Sequence, residues 1–391
     1  MDRAVVIHPN FPPGRRIVAV SDIHGNLPFF RALLDKIALT PEDILVLVGD
    51  LLEKGQESLT LLRHVMELCR THTVYPLCGN CDGLVYRFFR GDELDGRFFS
   101  FYLPQHPEST LRQLAREGGF DQTEDLPRLR ADLRAAYPEE HLFLSRMPTI
   151  LETEHLVFVH GGVPSLGHMD RLDRWGCMKN DDFLGQGHSF DKWVIVGHWP
   201  VTLYHPDIQS AAPILLPGRR IASIDGGCVL KLDGQLNALI LPQEDSQDFT
   251  WTAWDGLPTA TALDGQEPSA DPLNIRWGRS AVEVLERGEE LSLCRHLETG
   301  RTLYILNQYL RTGPKGVWCE DSTDYRLPVS PGDELTLVAR TKTGFFVQKR
   351  RGDGVVLWPP VRYNINPSNG GLAALCPLPG WAEHINIDRL L

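Results

Sequence analysis

The chain has 391 residues, 42% of them hydrophobic and 23% charged, which is the make-up of an ordinary globular protein with room for two domains. A net charge of −12 excludes a general, sequence-independent nucleic-acid binder, because that role needs an excess of Lys and Arg on one face. No apolar run approaches the roughly 20 residues that span a bilayer, and the first residues carry Pro9, Pro12 and Pro13 where a signal peptide would carry an apolar core.

A cytoplasmic location is therefore expected. Eight cysteines over this length do not make a disulfide framework.

Residues 1–14 read as an N-terminal arm. The first strand is Ile17-Val18-Ala19-Val20, short and apolar enough to be buried on both faces. It runs into Ser21-Asp22-Ile23-His24-Gly25-Asn26, and strand alternation turns Asp22 and His24 toward one side. A carboxylate and an imidazole so placed suit a borderline divalent cation. Four later apolar runs end the same way. Ile44–Val48 leads to Gly49-Asp50, 73–78 to Gly79-Asn80-Cys81-Asp82, 156–159 to His160-Gly161-Gly162, and 193–196 to Gly197-His198. Open α/β sheets place ligand sites at such carboxyl ends.

Between the strands, Leu27, Phe30, Leu33, Leu34 and Ile37 recur at helical spacing, as do Leu61, Leu62, Val65, Met66 and Cys69. Strand–helix alternation predicts a layered α/β domain with parallel pairs. Residues 83–150, rich in aromatics and helical stretches, read as a helical cap inserted after the third motif. The strand pair around Asp225-Gly226-Gly227 closes the domain near residue 242. Residues 243–280 read as a linker, partly docked through Trp251, Trp254 and Trp277. From 281 to 391, period-two runs at 281–285, 290–294, 302–306, 334–340, 345–349 and 355–358 predict a small β-barrel, faintly SH3-like. The Cys78–Cys81 pair reads as accidental, since Gly79-Asn80 belongs to the strand-end pattern.

Taken in order, Ser21-Asp22-Ile23-His24-Gly25, Gly49-Asp50 with Gly55, Gly79-Asn80, His160-Gly161-Gly162 and Gly197-His198 resemble the motif set of calcineurin-like metallophosphoesterases. More narrowly they resemble the phosphoprotein-phosphatase branch, which includes bacterial Ser/Thr phosphatases and diadenosine-tetraphosphate hydrolases. Asp225-Gly226-Gly227 is similar to an Asp-x-Gly late in the same domain. The resemblance covers about residues 15–242. It implies an α/β fold in which four layers, αββα, carry a dinuclear metal site. Asp22, His24 and Asp50 would bind the first ion, and Asp50 would bridge to a second held by Asn80, His160 and His198. Two cations about 4 Å apart clamp phosphoryl oxygens and ionise a bridging water, whose hydroxide attacks phosphorus. The mixed nitrogen and oxygen donors suit Mn²⁺, Fe or Zn²⁺ without choosing among them, and Mn²⁺ is the expected ion.

The departures matter as much. The family's leaving-group acid, a His, is Cys81 here; its supporting Asp is Glu53 and the neighbouring Arg is Lys54. Cys81, Glu53 and Asp82 are the expected catalytic groups. Lys54, Asn80, Arg171 and Arg174 are the expected phosphate binders, with Arg87 a weaker candidate. A thiol donates a proton poorly beside imidazolium, which disfavours alkyl monoesters and spares anhydrides. The expected activity is phosphatase-like hydrolysis of a phosphoprotein or a small phosphorylated metabolite. The alternatives are a nucleoside-polyphosphate or phosphodiester hydrolase, which Cys81 favours, and a slow phosphoryl-binding regulatory module. A protein partner is conceivable for residues 281–391.

Overall fold

A computed structural model describes residues 2–91, 95–340, 345–349 and 361–363. It divides into two compact units, residues 1–200 with 213–255, and residues 201–212 with 256–391.

The first unit is built on two mixed sheets. The five-stranded sheet runs Thr250–Trp254, Leu236–Leu241, Ile17–Val20, Ile44–Leu47, Thr73–Pro76. The six-stranded sheet runs Val6–Ile7, Ile150–Glu152, Leu156–Val159, Trp193–Val196, Ile221–Ser223, Ile214–Leu216. Ile17–Val20, Ile44–Leu47, Leu156–Val159 and Trp193–Val196 are buried at every residue, as their unbroken apolar runs require. The helices Leu27–Lys36 and Ser58–Thr71 cover the five-stranded sheet. The first of these starts where Asn26 accepts a hydrogen bond from the Phe29 amide (3.1 Å) and Pro28 fits the first turn.

Among the described residues the insertion is five helices, Asn80–Arg90, Asp95–Gln105, Thr110–Gly118, Leu126–Ala136 and Pro138–Arg146. Its Phe88, Phe89, Phe99, Leu114, Leu133 and Leu144 join Val18, Val20, Leu45 and Leu47 in one hydrophobic core. The insertion thus completes the packing of the sheet's helical face.

Two boundaries differ from the sequence reading. Within the expected N-terminal arm, Val6–Ile7 pairs in parallel with Ile150 and Leu151 as an edge strand. A two-residue strand leaves no periodicity to read. Within the expected linker, Thr250–Trp254 pairs antiparallel with Leu236–Leu241, and Phe249 packs on Trp193 with centroids 4.3 Å apart. The unit therefore ends at residue 255 rather than 242. A chain ending at 242 is expected to melt about 10 °C below one ending at 255, through the loss of buried Trp251 and its strand. Scanning calorimetry of the two truncations reads this, and equal melting temperatures would show that the strand contributes nothing.

In the second unit, one antiparallel sheet runs Thr302–Leu306, Leu291–His296, Ala281–Arg287, Gly316–Cys319, Leu310–Gly313. Another runs Thr259–Thr261, Glu334–Arg340, Phe345–Lys349, Val361–Tyr363. The expected run at 355–358 lies outside the described residues. The hairpin from Leu310 to Cys319 escaped the pattern because its strands are only four residues long and the first, Leu310–Gly313, carries a single apolar side chain. Among the described residues no helix is long and apolar enough to cross a membrane.

Candidate metal centre

Strand register assembles the site. Ile17 pairs with Ile44 and Ile44 with Thr73, all in parallel, so the ends that carry Asp22, Asp50 and Asn80 fall along one sheet edge. In the other sheet Leu156 pairs with Trp193 and Val194 with Ile221, again in parallel, which aligns His160, His198 and Asp225. The chain turns sharply as each motif leaves its strand. Asp22, His24, Asp50 and His198 have φ of 54°, 50°, 51° and 66°, the left-handed conformation that is uncommon for residues other than glycine. Two glycines let the loops close in. A Cβ at Gly79 would lie 2.1 Å from Asp50 Oδ1, and one at Gly197 would lie 2.4 Å from Asp22 Oδ2.

The six expected ligands meet here. His24 Nε2 lies 3.8 Å from Asp22 Oδ1 and 3.9 Å from Asp50 Oδ2. His160 Nε2 lies 3.3 Å from Asp50 Oδ1, 4.0 Å from Asp22 Oδ1 and 3.2 Å from Asn80 Oδ1. The His160 and His198 rings are 5.2 Å apart. Backbone carbonyls fix two of the imidazoles. His160 Nδ1 donates to Val48 (2.8 Å) and His24 Nδ1 to Leu52 (3.3 Å), which turns each Nε2 toward the carboxylates. His198 Nε2 donates to Asp181 Oδ1 (2.8 Å), leaving Nδ1 as the nitrogen available to a cation.

The donor set fits divalent metal. Asp22 Oδ1 is buried without a hydrogen-bond partner although two imidazole nitrogens face it. Asp225 Oδ2 is also buried and unpartnered. The groups His24–Asp50–Cys81 and Asp50–His160–His198 each bring three donor atoms within 4.8 Å of one another.

Electrostatics point the same way. Asp22, Asp50, Asp82 and Asp225 are all buried, a concentration of negative charge that calls for cations. Burial and then the Asp225 charge push the Asp22 carboxyl well up, and burial with Asp50 nearby lifts Asp225 to about 7. Burial also opposes ionisation of Asp50, but His160 and His24 outweigh it and hold that carboxyl below the usual range. Burial and the neighbouring His160 push His198 down to about 4.

The other expected site residues divide. Cys81 is buried and its amide donates to Asp50 Oδ1 (2.8 Å), while Sγ accepts from Asn80 Nδ2 (3.5 Å). Burial and the Asp50 charge push the thiol well up from its ordinary value. Glu53 turns toward the insertion, where Oε2 accepts from the Tyr102 hydroxyl (2.5 Å) and Oε1 from the Thr110 amide (2.9 Å). Lys54 is exposed beside it.

Asp82, expected among the catalytic groups, has its oxygens committed to backbone. Oδ1 accepts from Leu51 and Leu52 (3.0 and 3.1 Å) and Oδ2 from Gly79 (2.9 Å). It positions the Asp50 loop against the Asn80 loop. Asp82→Asn leaves one oxygen for three amides and is expected to destabilise the fold by about 1–3 kcal/mol. Urea denaturation checks this, and an unchanged midpoint would mean the loops hold without it. Arg174 donates to the Met147 carbonyl (3.2 Å) and lies over the Tyr86 ring, and Arg87 lies over Trp175. Arg171 is exposed.

Two residues went unread in the sequence. Lys179 Nζ lies 3.3 Å from His198 Nε2, and Asp181 pairs with both. They sit after the short helix Arg174–Met178, in a polar turn with no motif around it.

The calcineurin-like phosphoesterase family model matches residues 15–222, more than half of the chain. The chain belongs to that family. As a calcineurin-like phosphoesterase it is a hydrolase acting on phosphoesters. It is 22% identical over 255 residues to a bis(5'-nucleosyl)-tetraphosphatase PrpE [asymmetrical] of Oceanobacillus iheyensis, covering 59% of this chain and 90% of that protein. It is 23% identical over 252 residues to the protein of the same name from Bacillus velezensis, covering 58% and 89%. A serine/threonine phosphatase structure from Saccharomyces cerevisiae, with similarity to human phosphatase PP5, aligns with a TM-score of 0.39 at 12% identity, over 65% of this chain and 84% of that one.

Proposed function

We propose that this phosphoesterase hydrolyses phosphoanhydride bonds of nucleoside polyphosphates, of the dinucleoside tetraphosphate class. The observation that carries the reading is Cys81. The place that would hold an imidazole acid holds a buried thiol, a poorer proton donor than imidazolium, and Glu53 nearby is engaged by Tyr102 and Thr110. An alkoxide leaving group needs a proton from the protein, whereas a nucleoside polyphosphate departs without one. The names of the Oceanobacillus and Bacillus relatives favour the same substrate class.

Asp22, His24 and Asp50 would hold one divalent cation, and Asp50, Asn80, His160 and His198 a second, with Mn²⁺ proposed. When bound, the pair supplies charge neutralisation of phosphoryl oxygens and activation of a water. The chain does the rest. Val48 and Leu52 fix the tautomers of His160 and His24. The Cys81 amide holds Asp50 in place. Lys54 and Lys179 offer ammonium groups to the polyphosphate. The described cysteines are all free, which suits the reducing cytoplasm we propose.

Initial rates on diadenosine tetraphosphate, p-nitrophenyl phosphate, its bis ester and a phosphoserine peptide test this. The tetraphosphate is expected to exceed the peptide by roughly 10²-fold or more in kcat/KM, the assistance an alkyl ester would lack. Preference for the peptide would overturn it in favour of a phosphoprotein phosphatase, and preference for the bis ester in favour of a diesterase.

A further inference from the structure

We propose that the exposed aromatic rings of the insertion, Phe98 and Phe101, form a stacking platform for a nucleobase of the substrate. This rests on the nucleoside-polyphosphate reading above and adds the subsite that would recognise the base.

Phe98, Tyr102 and His106 follow at four-residue intervals along the helix Asp95–Gln105 and just past its end, so their rings share one face. They form a column. Phe98 stacks on Tyr102 with centroids 5.3 Å apart and planes at 19°, and Tyr102 on His106 at 4.0 Å and 16°. The column is tied to the catalytic loop, because the Tyr102 hydroxyl donates to Glu53, the residue before Lys54. It is also held from behind. Phe99 is fully buried and meets Phe88 edge-on at 5.0 Å, which fixes the helix against the core.

The outer end is different. Phe98 is 45% exposed, and Phe101, three residues on, is 69% exposed. Two large exposed rings three residues apart on one helix are costly unless something covers them. A base suits the position because the column is continuous from Phe98 through Tyr102 and Glu53 to the Lys54 loop. One ligand carrying phosphates at one end and a flat ring at the other would span it. Stacking on an aromatic ring is tolerant of base identity, so the platform predicts weak discrimination among bases.

The test is Phe98→Ala and Phe101→Ala in the full-length, metal-loaded chain, assayed on diadenosine tetraphosphate and on inorganic tripolyphosphate, which has no base. KM for the dinucleotide is expected to rise about tenfold more than KM for tripolyphosphate, and Phe98→Trp to restore it. Equal effects on both substrates, or none, would overturn the platform. So would a change in oligomeric state on gel filtration, which would assign the rings to a second copy of the chain. Calorimetric binding of ADP against pyrophosphate reads the subsite without turnover, and equal losses for both ligands in Phe98→Ala would also overturn it. A chain that hydrolyses neither polyphosphate fails the reading of the previous section, while one that hydrolyses both with identical Phe98→Ala effects fails this one.

Discussion

Asp50→Asn is expected to empty the centre of metal and lower activity at least ~10³-fold. Asp50 turns its two oxygens to imidazoles in different halves of the site, as a carboxylate shared by two cations must. Its Oδ1 lies 3.3 Å from His160 Nε2 and its Oδ2 3.9 Å from His24 Nε2. The amide of Asn keeps the shape and removes the charge that a shared position between two cations requires. It also keeps the backbone, because Asn tolerates the left-handed φ of 51° better than other uncharged residues except glycine. The loss therefore reports on charge rather than on folding, and an unchanged circular dichroism spectrum is expected. Elemental analysis of the purified variant is the decisive measurement. Two metals per chain would remove Asp50 from the bridging position.

The meeting of the six expected ligands was legible in the sequence because each stands at the end of an apolar run, and parallel register aligns such ends within each sheet. No comparable signal marks Lys179 and Asp181. They reach His198 across 19 and 17 residues from an irregular turn, and only the folded loop brings them there. Glu53 was identified by its place in the motif, but its partners could not be. Tyr102 and Thr110 lie 49 and 57 residues away, in an insertion whose helices show amphipathic spacing but not which loop they meet.

The same limit explains the fold boundaries. Thr250–Trp254 is an edge strand of mixed aromatic and polar residues flanked by Asp and Gly, which reads locally as a docked linker. Asp82 shows the converse limit. A carboxylate beside a ligand invites a catalytic role, yet its geometry serves three backbone amides. Residue type and position alone cannot separate a proton donor from a loop clasp.

Cys81→His bears most directly on which leaving groups the site can use. The thiol is buried, held beside Asp50 by its own amide, and pushed well up by burial and the Asp50 charge. It gives little general-acid help, which is typically worth ~10²–10⁴-fold. An imidazole at this position is expected to raise turnover of phosphoserine peptides and other alkyl monoesters by about 10²-fold, the low end of that range. The reason for the low end is Glu53. A supporting carboxylate would orient the introduced ring, but both Glu53 oxygens already accept, from Tyr102 and Thr110. Tyr102→Phe in the same chain frees Oε2 and is expected to add to the gain. Rates on p-nitrophenyl phosphate and tripolyphosphate should move little in any of these variants, since those leaving groups depart unprotonated. Cys81→Ser should be nearly neutral throughout. If instead Cys81→Ser abolished turnover of every substrate while two metals per chain remained, the sulfur would have a direct role in the reaction. The preference for anhydrides would then need another cause.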